Sequence, residues 1–186
     1  MQAEIKRSSN KAVRRLTYSA LCLALALVLP FLTGQIPEIG SMLCPMHLPV
    51  ILCGFLCGWQ YGAVVGAVSP ILRMVLFAMP PVYVAIPMMF ELAVYGIVSG
   101  LVYRLLPKKM STIYTSLLLA MVSGRIVWGV VKFVMAGLNH TEFSLAIFLS
   151  GAVTTAIPGI VLQIILIPIL VAAAEKAGLV LNERKD

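Results

Sequence analysis

Residues 84–109 read VAIPMMFELAVYGIVSGLVYRLLPKK, and this stretch decides the fold. Residues 84–106 form an apolar run interrupted in its body by a single acid, Glu91, and stopped by Pro107-Lys108-Lys109. At about 1.5 Å per residue the run spans ~35 Å as a helix, enough for a hydrocarbon core of ~30 Å. The basic stop assigns that end to the cytoplasmic side, because loops rich in Lys and Arg stay there.

The same reading extends in both directions. Apolar blocks at residues 16–33, 43–58, 61–78, 113–136 and 145–174 complete a set of six predicted spans. Residues 43–78 are too long for one span, so the chain must turn, and Gly58-Trp59-Gln60-Tyr61-Gly62 offers the turn. Lys6, Arg7, Lys11, Arg14, Arg15, Arg104, Lys108, Lys109, Lys176, Arg184 and Lys185 then fall on one side, and the opposite loops hold only Glu38 and Glu142. The prediction is a single all-α integral membrane domain over residues 1–186, a six-transmembrane-helix bundle with both termini cytoplasmic. The second span is short: 16 residues give ~24 Å, so its outer end is expected to be irregular and to rest over a cavity.

Composition agrees. The chain is 61% hydrophobic and 11% charged, far too apolar for a water-soluble domain of 186 residues. The net charge of +7 is explained by the loops beside the spans, so no nucleic-acid partner is implied. Cys22, Cys44, Cys53 and Cys57 have only His47 near them as a further metal-ligand type, and no metal or other cofactor is expected. Residues 16–33 are too long an apolar run for a signal peptide and no small-residue cleavage site follows. Gly54, Gly58, Gly62 and Gly66 recur every four residues, a spacing that lets helix backbones approach closely. Ala20 and Ala24 form a shorter small-residue row in the first span, suited either to packing within the bundle or to docking a partner helix.

Four ionisable residues lie inside apolar blocks: Arg73, Glu91, Arg125 and Lys132. Each costs roughly 2.5–3.5 kcal/mol at a helix centre, so they are expected to face inward and to have a use. Arg73 and Glu91 can form an ion pair between the third and fourth spans, and Lys132 can reach the outer interface. Arg125 is too deep for that, and has no acid left if Glu91 is taken by Arg73. Arg125 and Lys132 share a helix face, as do Glu91 and Tyr95. With His47, Trp128 and Asn139 they make a candidate small-molecule site in the outer half of the bundle. No phosphate-binding Gly-rich loop, His-Glu-x-x-His run or nucleophile elbow occurs, so an enzyme is not expected and the chain carries no ATPase motif of its own.

This layout resembles the substrate-binding S component of energy-coupling factor (ECF) vitamin transporters. The resemblance covers almost the whole chain and rests on six spans, the Ala20/Ala24 row, the long outer loop at residues 34–42, the glycine-bounded turn at residues 58–66 and the outer polar cluster. It implies a multi-pass subunit of the cell membrane that binds a vitamin tightly from outside. It also implies docking, through the alanine row, on a shared transmembrane coupling subunit with two cytoplasmic ATPases.

Within that resemblance the presence of both charge signs favours a vitamin B6 form. Glu91 would meet a pyridinium nitrogen, Arg125 or Lys132 a phenolate oxygen, and Trp128 would stack on the ring. Pantothenate, whose carboxylate suits Arg125 and Lys132, and a thiamin-precursor pyrimidine are the alternatives. A self-sufficient transporter coupled to protons through Glu91 is the reading from another class, against which stands the absence of an internal repeat.

Overall fold

Five helices of the computed structural model are long and apolar enough to cross a membrane, and a sixth is short. The structure describes residues 2–33, 42–138 and 156–182, with side chains from Asn10 onward. The long helices are α1 (Gln2–Val28, continued by a 3-10 turn Leu29–Thr33), α3 (Trp59–Phe77), α4 (Val82–Leu105), α5 (Met110–Leu138) and α6 (Ile157–Lys176). The short one is α2 (His47–Cys57). No strand occurs among the described residues. The fold is a helical membrane bundle. The outer loop from residue 34 to 41 and residues 145–155 of the sixth predicted span lie outside the described residues.

The helix junctions follow from local chemistry. The expected five-residue turn at 58–62 shrinks to one residue, because Gly58 alone reverses the chain. Its φ of 102° is open to glycine and strained for other residues, and α3 starts at once with Trp59. At the other end of α3, Ala78 turns left-handed (φ 56°), and Pro81 opens α4 by accepting from the N–H groups of Val84 at 2.8 Å and Ala85 at 2.9 Å. Leu106 goes extended before Pro107, as a residue preceding proline prefers, and this stops α4. With 11 residues α2 is only about 16 Å long, roughly half the hydrocarbon thickness. The shortening falls at its first end, where Cys44 adopts φ 47° and its carbonyl accepts from the His47 N–H at 3.0 Å.

Helix α4 is central and packs on α2, α3 and α5. Its contact with α2 and α3 is made backbone to backbone. A Cβ on Gly62 would stand 2.8 Å from the Gly54 Cα and 2.8 Å from the Gly96 carbonyl oxygen, and one on Gly100 would stand 2.5 Å from the Trp59 nitrogen. The glycine row therefore does pack closely, and α4 answers it with Gly96 and Gly100.

The end of the bundle beside Lys108 is fastened by residues after α6. The Leu181 N–H donates to the Leu56 carbonyl at 2.7 Å, and Arg15 donates to the Leu181 carbonyl at 2.6 Å. The buried Asn182 amide donates to the carbonyls of Gly100 (2.8 Å) and Gly54 (3.3 Å). The Tyr103 hydroxyl donates to Glu175, and Phe55 packs edge-on to Tyr103 with centroids 5.1 Å apart.

Candidate functional site

Helices α2, α4 and α5 bring four polar side chains to one point in the half of the bundle away from Lys108. Glu91 is buried at 2% exposure in α4. Its Oε1 lies 3.0 Å from Arg125 Nη1 on α5 and 3.5 Å from His47 Nε2 at the start of α2. Arg125 also donates from Nη2 to Cys44 Sγ at 3.7 Å. Tyr95, one turn from Glu91, is buried and meets the His47 ring edge-on at 5.1 Å. The Tyr95 ring fits because α5 offers Gly124 beneath it; a Cβ there would sit 2.9 Å from Tyr95 Cε1.

The pairing differs from the Arg73–Glu91 bridge the sequence suggested. Arg73 lies four residues from the end of α3, about 6 Å deep, and Glu91 lies nine residues into α4, about 13 Å deep. The two are offset in depth, and Arg73 turns to α1 instead. Its Nη1 donates to the Leu27 carbonyl at 2.6 Å, and its guanidinium lies 4.9 Å from the Phe31 ring and 5.5 Å from the Phe77 ring. The Leu27 carbonyl is suited to this role. A 3-10 turn would pair it with the N–H three residues on, and that residue is Pro30, which has none. A cation at a helix C-terminus also meets the negative end of the helix dipole. Arg73 is thus a structural tie between α1 and α3.

Lys132 stands seven residues nearer the end of α5 than Arg125, about 10 Å along the helix. Its ammonium donates to the Tyr83 carbonyl at 3.2 Å and lies 5.7 Å from the Tyr83 ring and 5.9 Å from the Trp128 ring. The expected reach of this lysine toward the helix end is what the structure contains, with Trp128 beside it. Asn139 lies outside the described residues. The structure therefore joins His47, Glu91, Tyr95 and Arg125, sets Lys132 and Trp128 nearer the end of α5, and places Arg73 against Leu27, Phe31 and Phe77 instead. The sequence reading missed Cys44 and Gly124. Both had a signal: Cys44 precedes His47 by three residues at the same helix entrance, and Gly124 adjoins Arg125.

The cluster is electrically paired but incompletely bonded. The Glu91–Arg125 contact is an ion pair without an aligned hydrogen bond to Oε1. Both ring nitrogens of His47 and Nε of Arg125 are buried with no hydrogen-bond partner among the described residues. Each polar atom left so would cost roughly 1–3 kcal/mol, and these atoms gather at one ion pair.

On α1 the row of small residues faces out. Ala20, Ala24 and Val28 are exposed, while Ser19, Cys22 and Ala26 form the buried face. Among the described residues the row does not serve packing within the bundle.

These features define a multi-pass membrane protein with a buried, partly unsatisfied polar cluster between its helices. The sequence matches the family of ECF transporter substrate-specific components over residues 14–171, and the chain belongs to that family. It is a transporter subunit that selects a substrate. No curated protein and no solved structure matches it.

Proposed function

We propose that this subunit captures a vitamin B6 form at the His47–Glu91–Tyr95–Arg125 cluster, entering from the face opposite the basic loops, in the cell membrane and with both termini cytoplasmic. The observation that carries the reading is the bonding state of the ion pair: opposite charges 3.0 Å apart, ringed by buried polar atoms that lack partners among the described residues. A pyridine ring bearing both an N–H and a phenolate oxygen supplies one group to each charge. Glu91 accepts from the ring nitrogen and Arg125 donates to the phenolate, and both bonds are charge-assisted. His47 and Tyr95 supply aromatic edges beside such a ring, and Lys132 with Trp128 stands above it. Binding of pyridoxine to the purified protein in detergent, without ATP, tests this. A rise in melting temperature with pyridoxine and none with riboflavin or biotin is expected; no response to any B6 form overturns it.

Pantothenate is the second reading, and Lys132 favours it. Its contacts are a carbonyl and two rings, and no carboxylate pairs with it among the described residues, which suits the acid of that vitamin. The same melting assay with pantothenate separates the two.

The shared coupling subunit with its two ATPases would dock on the exposed row of α1. Exposed leucines such as Leu16 and Leu21 suit lipid equally well, but small residues at four-residue spacing suit close approach of another helix. Ala24→Trp and Ala20→Trp are therefore expected to leave vitamin binding within about twofold and to abolish uptake by the complete transporter. Binding lost together with uptake would show that the row supports the bundle. Uptake by this chain alone in liposomes, driven by a proton gradient, would replace the docking reading with that of a self-sufficient transporter.

A further inference from the structure

Helix α6 brings another polar side chain to the same level of the bundle. Gln163 is buried at 2% exposure, and its Oε1 has no hydrogen-bond partner among the described residues. It lies on the buried face of α6 that runs Gly159, Gln163, Ile167, Val171. This face is anchored in depth by Gly159, where a Cβ would stand 2.7 Å from the Met42 carbonyl oxygen and 2.8 Å from that of Leu43. Gln163 is one turn further in, about 6 Å along the axis. From Met42 and Leu43 the other chain likewise passes inward through Cys44, the sulfur partner of Arg125, to His47, the partner of Glu91. Below Gln163 the face turns fully apolar, with Ile167 and Val171 at 0% exposure. The amide is thus the last polar group on α6 before the packed core, at the depth where α2 enters the cluster.

An amide oxygen buried without a partner among the described residues is costly in the free protein, and the residues on its own face are apolar. Packing alone would be served better by leucine or methionine. We infer that Gln163 is a specificity-determining contact of the substrate site, its amide oxygen accepting a hydrogen bond from an N–H or O–H of the bound molecule. This rests on the proposed vitamin-binding reading and adds a donor requirement to it. The cluster on α2, α4 and α5 handles charge, and α6 selects for a neutral donor that an analogue of equal charge can lack.

The test is the affinity of wild-type protein, Gln163→Leu and Gln163→Met for pyridoxine and for its deoxy analogues, each lacking one hydroxyl, with the melting temperature of each ligand-free protein. The expected result has three parts. Ligand-free variants melt at or above the wild-type temperature, because a buried amide oxygen with no bond among the described residues has been removed. Both variants bind pyridoxine about 10- to 100-fold more weakly. One deoxy analogue binds wild type and variants alike, identifying the donor. Wild-type binding of pyridoxine that both variants retain in full overturns the inference alone. Weakened binding accompanied by a lowered melting temperature in both variants also overturns it, since Gln163 is then a structural residue. A wild-type protein that binds no B vitamin overturns the vitamin reading and this inference together.

Discussion

Arg125→Ala is expected to abolish binding at the proposed site and to destabilise the bundle by about 3–5 kcal/mol, because it deprives the buried Glu91 carboxylate of its cation. His47 at 3.5 Å and the Tyr95 hydroxyl are then its polar neighbours, and neither carries a full compensating charge. The two effects must be separated, since an unfolded protein binds nothing. The double variant Glu91→Gln, Arg125→Met does so. It removes both charges and keeps the volume, and replacing a buried pair with neutral side chains is often neutral or stabilising. The double variant is expected to melt near the wild-type temperature and still fail to bind. Wild-type affinity in the double variant would remove the ion pair from the site. Melting curves in detergent and titration calorimetry give both quantities.

Gly96→Ala is the second large effect. The added Cβ would overlap the carbonyl group of Gly62, and Gly62 itself is held by Gly54 and the Gly96 carbonyl. Overpacking a core usually costs about 1–3 kcal/mol because side chains can shift. Here backbone meets backbone on both sides, so no rotamer change relieves the clash and the loss is expected at or above the top of that range. The helices that must separate are α3 and α4, and α4 carries Glu91 and Tyr95, so binding falls with stability. Gly137→Ala is the matched control. It sits in α5 with nothing among the described residues within 4 Å of an added Cβ, and its melting temperature is expected to stay level or rise slightly. Equal melting of the Gly96 variant and wild type would mean that the helices are not in backbone contact.

The contrast between these variants also shows what the sequence could reveal. Hydropathy marked the long apolar helices, because span length is a property of local composition, although α1 begins at Gln2, well before the predicted residue 16. The glycine row declared close packing for the same reason. Which charges meet was less accessible. The Arg73–Glu91 pairing assumed that neighbours in sequence are level in the membrane, and the turn at residues 78–81 leaves them offset. A better guide was present: Glu91 lies 16 residues before Pro107 and Arg125 lies 18 after it, so an antiparallel hairpin brings them level. Arg73's true partner, the carbonyl of Leu27, is a backbone atom, and no residue-type pattern announces it. Gln163 and Cys44 were visible as residues, but their role depends on the register of α6 and of the chain entering α2, which long-range packing sets.

The hairpin has a consequence for how the protein enters the bilayer. Only residues 106–109 separate α4 from α5, so the two helices emerge from the translocon almost together. Alone, each would carry a naked charge into lipid at a penalty of roughly 2.5–3.5 kcal/mol. Inserted as a unit, acid and base arrive neutralised at the same depth. The buried pair would thereby also serve biogenesis, each charge cancelling the other while the hairpin crosses the hydrocarbon.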